Sequence, residues 1–197
     1  MRRILCLTTL LLAAATPLCA QGLRFGALGG IALGASTGTY DGVGVNSVSG
    51  WGAALTLAPD GLTDDLTARL DLGFAALGGQ SFLLTWPESQ DQYDFDTGVL
   101  GGSLNLVWNF LGSGRRATPY FIGGVGYYGV RVQTAGPMLP GAANTSTEGV
   151  VGYNAGLGLR ESKFFVEARL TTLKNVSVPA LGRTDLYNVP ITVGLWF

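Results

Sequence analysis

The chain has 197 residues, enough for one domain after a leader, and its twelve basic and thirteen acidic side chains leave it nearly neutral. It contains no histidine, and both cysteines, Cys6 and Cys19, fall within the first twenty residues. Without those residues the chain offers no disulfide, thiolate nucleophile, histidine-based triad or zinc site, and no basic footprint for nucleic acid.

The leader, residues 1–20, has the order of a secretory signal peptide. Arg2 and Arg3 supply the positive start, positions 4–15 the apolar core, and Leu18-Cys19-Ala20 a small-residue exit before Gln21. The core is too short for a membrane-spanning helix, which needs roughly 20 residues. Lipidation at Cys19 fits poorly, because Thr16-Pro17-Leu18 is a weak match to a lipidation box. The expectation is cleavage after Ala20, leaving 21–197 as one domain. Loss of Arg2 and Arg3 lowers the basic count from twelve to ten against thirteen acidic residues, a net charge of −3.

The whole chain is rich in glycine, 31 residues in all, only 13% charged, and its mean hydropathy is +0.34. No apolar run after the leader reaches the length of a spanning helix. A hydrophobic chain without such helices can satisfy its backbone in lipid only as a closed barrel.

Eight segments alternate between an apolar face and a small or polar one, as strands do. The first, 22–35, sets Leu23, Phe25, Ala27, Ile31 and Leu33 against Arg24, Gly26, Gly30, Ala32 and Gly34. A glycine-rich loop, 36–46, follows. The second, 47–57, sets Trp51, Ala53, Leu55 and Leu57 against Gly50, Gly52, Ala54 and Thr56. Pro59-Asp60-Gly61 then has the chemistry of a tight reversal, Pro presetting φ and Gly accepting a positive value. The third is the most regular. Leu66, Ala68, Leu70, Leu72, Phe74 and Ala76 oppose Thr67, Arg69, Asp71, Gly73 and Ala75, a pattern foreign to a helix.

Residues 78–94 read as a long mixed connection. The fourth segment, 95–110, places Leu104, Leu106, Trp108 and Phe110 opposite Ser103, Asn105 and Asn109, and ends at a short basic turn, 112–116. The fifth, 119–132, is apolar on both faces (Tyr120, Ile122 and Tyr128; Phe121, Val125 and Tyr127), so its phase stays open. A long loop, 133–147, leads to the sixth, where Val151, Tyr153, Ala155, Leu157 and Leu159 oppose Gly152, Asn154, Gly156, Gly158 and Arg160. Glu161-Ser162-Lys163 separates it from the seventh, with Phe164, Val166, Ala168 and Leu170 against Phe165, Glu167, Arg169 and Thr171. After a polar loop, 174–185, the eighth segment, 186–197, sets Tyr187, Val189, Ile191, Val193, Leu195 and Phe197 against Asn188, Pro190, Thr192, Gly194 and Trp196.

The connections alternate long and short, the strand number is even, and each strand is near or above the roughly 9–11 residues needed to cross a bilayer when tilted. The fold class expected is all-β: an eight-stranded antiparallel transmembrane up-and-down β-barrel. Its last strand must pair with its first, so that no edge remains in lipid. Pro190, lacking an N–H, should weaken one of the two ladders it faces.

The run Pro119-Tyr120-Phe121-Ile122-Gly123-Gly124-Val125-Gly126-Tyr127-Tyr128, together with 152–158 and 164–169, resembles the later strands of the small bacterial outer-membrane β-barrels related to OmpA and OmpX. The resemblance spans the chain after the leader and is best over 119–197. It implies an outer-membrane location, contact with outer-membrane lipid and lipopolysaccharide, and delivery by periplasmic chaperones to the β-barrel assembly machinery. The pattern of Tyr187, Val193, Leu195 and Phe197 resembles the C-terminal signal which that machinery reads.

The polar alternates Arg24, Arg69, Asp71, Asn105, Asn154, Arg160, Glu167 and Arg169 converge on the lumen of such a barrel. Eight strands enclose a space just wide enough for side chains, where charges must pair. Arg69, Asp71, Glu167 and Arg169 are therefore expected to form an ionic network near mid-height, structural in the plain reading and a gate in the sharper one. Glu167 and Asp71 as an acid and base pair would be the enzymatic reading, but carboxylates beside arginines read first as ion pairs.

Asp91, Asp94 and Asp96 are a weak Ca²⁺ candidate without an EF-hand spacing, and Gly101-Gly102 and Gly123-Gly124 open no helix that would bind phosphate. Trp51, Trp108, Tyr120, Tyr187, Trp196 and Phe197 suggest aromatic girdles, with Trp196, on the luminal alternate, in the mouth of the barrel. The expectation is a non-enzymatic monomer with no cofactor and no metal, acting through its long loops in a structural, adhesive or protective role. A narrow channel is the first alternative. A periplasmic lipocalin-like binder, with its apolar face turned inward, is the second.

Overall fold

In a computed structural model, residues 22–34, 38–40, 43–45, 50–59, 62–63, 65–85, 90–111, 117–135, 144–178 and 182–197 are described. The leader assigned to 1–20, the basic turn 112–116, and Asp60 and Gly61 of the first tight reversal lie outside them. Among the described residues ten strands form: β1 (Leu23–Gly34), β2 (Gly38–Tyr40), β3 (Val43–Val45), β4 (Gly50–Pro59), β5 (Leu66–Thr85), β6 (Gln90–Trp108), β7 (Ala117–Ala135), β8 (Asn144–Glu161), β9 (Phe164–Val178) and β10 (Gly182–Trp196). Eight of them close an antiparallel barrel in the order β1-β10-β9-β8-β7-β6-β5-β4. Strands β2 and β3 pair only with each other, so the first expected loop holds a small hairpin.

Closure follows the pairing of the two ends. Strand β1 pairs with β4 from Leu23 opposite Pro59 to Ala32 opposite Gly50. On its other edge it pairs with β10 from Gly26 opposite Trp196 to Gly34 opposite Asn188, and the Phe197 amide donates to the Phe25 carbonyl at 2.8 Å. Pro190 lies opposite Ala32 in that ladder. In the β9–β10 ladder the pairing passes from Asn188 opposite Thr171 to Ile191 opposite Ala168 and skips Val189 and Pro190, the gap a missing N–H produces.

The strands run further than the sequence alternation suggests. Much of 78–94, 133–147 and 174–185, expected as loop, is paired strand. Two of these stretches contain bulges. Gly78 and Gly79 of β5 lie between the pairs Leu77–Thr97 and Gln80–Phe95, so two residues face one. Lys174 and Asn175 of β9 likewise face Asp185 alone, and Asn175 takes a positive φ of 55°. A bulge switches which alternate faces inward, so the period of two breaks in the sequence while backbone pairing continues.

The third stretch has a different cause. Over the lower barrel, nearest the short turns, large apolar side chains stand outward and exposed. Leu55, Leu72, Leu104, Leu106, Leu157, Val166 and Val193 are among them. The open phase of 119–132 resolves with Phe121, Val125 and Tyr127 outward and Tyr120, Ile122 and Tyr128 inward. Around and above Gly98, Gly129 and Gly149 the polarity inverts. Outward positions become Asp96, Arg131, Thr147, Lys174 and Arg183, all exposed. Inward ones become Val130, Val132, Val150, Leu173 and Val176, a buried apolar cluster packed with Val99, Tyr128 and Leu186. Glu148, half-buried, is a charged exception, and its carboxylate accepts the Ser177 amide.

Candidate functional site: an ion network across the lumen

Strands β5 and β9 stand diametrically opposite in the barrel order. Arg69 and Asp71 are the fourth and sixth residues of β5, Glu167 and Arg169 the fourth and sixth of β9. Period-two alternation turns each pair inward at the same level, and the two pairs meet across the lumen. Because the strands extend well past the apolar band, the level is the lower third of the barrel rather than its middle.

Arg69 forks onto Glu167, Nη1 to Oε1 at 2.5 Å and Nη2 to Oε2 at 2.9 Å. Its Nη2 also donates to Asp71 Oδ2 at 3.1 Å. Arg69 Nε approaches Asp71 Oδ1 to 3.0 Å without the alignment of a hydrogen bond. Arg169 donates from Nη1 to Asp71 Oδ2 at 2.8 Å, from Nε to Glu167 Oε2 at 2.8 Å, and from Nη2 to the same oxygen. Two cations and two anions thus cancel, with Arg69 2% and Glu167 1% exposed. Charges so enclosed are tolerable only because nearly every donor and acceptor is engaged.

Neutral groups complete the network. Tyr120 donates its hydroxyl to Glu167 Oε1 at 2.5 Å. Asn105 Nδ2 donates to Asp71 Oδ2 at 2.9 Å and to Ser103 Oγ at 3.0 Å, and Asn154 Nδ2 donates to Asn105 Oδ1 at 2.9 Å. The Arg69 guanidinium carbon lies 5.5 Å from the centroid of the Phe165 ring. Two luminal glycines make the fit possible. A Cβ on Gly158 would lie 2.2 Å from the Tyr120 ring, and one on Gly124 would lie 2.2 Å from Asn105 Oδ1.

Tyr120 corrects the sequence reading, which placed it in an outer girdle: it is 2% exposed and luminal. The signal that reveals its phase is Gly158, directly opposite on β8, which leaves room for an inward ring. Trp196 also faces inward, its ring 5.5 Å from Phe165, and lines a small space beside Arg24, Arg69 and Arg160. Arg24 is exposed and Arg160 half-buried. Trp51 and Trp108 stand outward, Trp51 edge-on to Phe74 at 5.2 Å and Trp108 stacked on Phe121 at 5.9 Å.

Of the residues expected to form an assembly signal, Val193 and Phe197 are outward and exposed, and Tyr187 and Leu195 are half-buried on the same alternate. Asp91 and Asp94 belong to β6 with side chains outside the described residues, and Asp96 is exposed. No group of three or more metal-ligating His, Cys, Asp or Glu side chains occurs among the described residues.

No protein-family model and no curated protein matches the chain. Among solved structures it is similar to Neisserial surface protein A, NspA, at 15% identity and a TM-score of 0.54, over 89% of this chain and 97% of that one. It is also similar to the N-terminal β-barrel domain of Pseudomonas aeruginosa OprF (14% identity, TM-score 0.46, 90% and 98% covered). A third is Ail, the attachment invasion locus protein of Yersinia pestis, solved with the heparin analogue sucrose octasulfate (13% identity, TM-score 0.43, 89% and 96% covered). The likeness to NspA is one of fold, a closed eight-stranded antiparallel barrel, and at that level the chain resembles the small outer-membrane barrels.

Proposed function

We propose that this chain is a non-enzymatic integral protein of the bacterial outer membrane, secreted by a cleaved leader, and that it acts at the cell surface in a structural, adhesive or protective role. One observation carries the reading: polarity inverts along the barrel axis. Apolar side chains face outward around the lower barrel and inward above it. An outer surface that must meet hydrocarbon low down and water higher up has this distribution. A water-soluble lipocalin-like binder would need the opposite arrangement around its lower half. The hairpins β5–β6 and β7–β8 continue past the apolar band and offer the surface on which such a role would rest.

In this reading the short turns lie in the periplasm, the lower barrel contacts outer-membrane lipid and lipopolysaccharide, and the chain works as a monomer. Periplasmic chaperones and the β-barrel assembly machinery would deliver it, reading Tyr187, Val193, Leu195 and Phe197. The network joining opposite walls supports a closed lumen, and carboxylates ion-paired with two arginines are poorly placed to move protons. Membrane fractionation with a heat-shifted gel mobility is the test. A monomer soluble without detergent would overturn the reading, and steady conductance in planar bilayers would replace the surface role with the narrow channel.

A further inference from the structure

The top of the last hairpin is tied to its neighbours by side chains and not by backbone. The β8–β9 ladder ends at Gly152 opposite Leu173, although β8 continues to Asn144 and β9 to Val178. On the other side the β1–β10 ladder ends at Gly34 opposite Asn188, and β2, which comes near β10, pairs with β3. Over 174–185, therefore, β9 and β10 pair with each other and with no neighbouring strand among the described residues. The base of this stretch is the Lys174-Asn175 bulge, one residue past the end of the β8 ladder, where Asn175 takes its positive φ. A bulge bends its strand and breaks the ladder locally.

Two contacts close the stretch onto β8. Val176 has no exposed surface and packs with Val150 of β8 and Val130 and Val132 of β7. Beside it the Glu148 carboxylate accepts the Ser177 amide, and Arg183 of β10 approaches the same carboxylate to 3.9 Å. That amide is an edge donor which a paired strand would otherwise satisfy, so a carboxylate stands in for a ladder. The other charged side chains on the surrounding strands are Arg131 of β7, Lys174 of β9 and Asp185 of β10, the last two paired with each other, and β7 sets apolar Val130 opposite Glu148. A hydrogen bond to a charged acceptor is about twice as strong as one to a neutral acceptor. Loss of the charge on Glu148 weakens the tie to both Ser177 and Arg183.

We propose that the upper β9–β10 hairpin is a flap, hinged at the Lys174-Asn175 bulge and latched to β8 by the Glu148 carboxylate, which opens when Glu148 loses its charge. Opening uncovers Val176 and the edge of β8 from Asn144 to Val151, while the eight-stranded wall below Leu173 stays closed. The latch depends on the pairing within the barrel and not on which surface role the hairpins serve.

The test uses the full chain with Cys6→Ser and Cys19→Ser, isolated from membranes in detergent and carrying Val176→Cys as its one thiol. Labelling by a neutral, water-soluble maleimide at fixed pH reads opening. Labelling should be slow, and Glu148→Gln should speed it about tenfold or more, the worth of one hydrogen bond to a charged group. Leu173→Cys, inside the β8–β9 ladder, should label slowly with either residue at position 148, which separates a flap from general loosening. Should Val176→Cys lose the heat-shifted gel mobility of a folded barrel, Val150→Cys, across the split on β8, reads the same opening. A rate at position 176 as fast as that of exposed Thr147→Cys, an equal rate with and without Glu148→Gln, or an equal acceleration at position 173 would each overturn the proposal.

Discussion

Below Gly98, Gly129 and Gly149 the barrel carries charge inside and hydrocarbon outside; above them it carries hydrocarbon inside and charge outside. Both halves use the same strands with the same period of two. The upper half is built like a small water-soluble barrel, with Val130, Val150, Leu173 and Val176 as its core. In the lower half the apolar side chains are needed on the outside. The interior there combines arginines, carboxylates and amides that bond one another with a small apolar cluster of Val107, Tyr120 and Ile122. The direction of hydrophobic alternation therefore reports the medium around the barrel, and it can reverse within one strand.

The comparison breaks most severely at Glu167. Glu167→Leu leaves Arg69 and Arg169 with Asp71 as their one remaining carboxylate in the network, and should cost about 3–5 kcal/mol, as removal of one partner of a buried pair does. Urea unfolding in lipid vesicles, followed by tryptophan fluorescence, measures it, and a loss under about 1 kcal/mol would mean the network is not needed. The inversion itself is tested by one substitution at two heights of β8. Leu157→Arg, within the apolar band, should cost about 2–4 kcal/mol. Thr147→Arg, above the band, should stay within about 0.5 kcal/mol. Equal effects would remove the boundary. Tyr120→Phe deletes a hydrogen bond to a charged group and should cost about 1.5–3 kcal/mol in the same assay.

The smallest effect lies on the upper exterior. A hydrogen bond from Lys174 at 2.5 Å, then one from the Asn175 amide at 2.9 Å, hold the Asp185 carboxyl below the usual carboxylate range. A depressed folded pKa means the stabilisation is full above the unfolded value and is lost as pH falls through the lower, folded one. Hydrogen exchange at the Asn175 amide should accelerate over that acidic window while the global unfolding midpoint stays put. Asp185→Asn should remove the pH step; a step that persists would point to another group.

How legible these halves were in the sequence follows from the same physics. The lower barrel could be read because small or polar alternates face greasy ones over long runs, as in 66–76 and 151–160, and because Arg69, Asp71, Glu167 and Arg169 each fall on the non-greasy alternate. Tyr120 was hidden, since an aromatic fits either face and only its opposite neighbour Gly158 distinguishes them. The upper strands were hidden twice over. Bulges at Gly78-Gly79 and Lys174-Asn175 shift the phase, and over 130–132 and 148–150 the meaning of inward changes from polar to largely apolar.

The register of the seam carries a consequence for the order of folding. Most ladders of the barrel join strands that follow each other closely in the chain, but β1 and β10 bring together Gly26 with Trp196 and Gly34 with Asn188. Closing a loop of roughly 160 residues costs about 2.5 kcal/mol more chain entropy than closing a ten-residue turn. That difference disappears once the intervening hairpins have curled into a sheet that already holds the two ends near each other. The barrel is thus a row of local zippers and one distant clasp. The clasp fastens last, along the strand where Pro190 has already left the neighbouring ladder a step short.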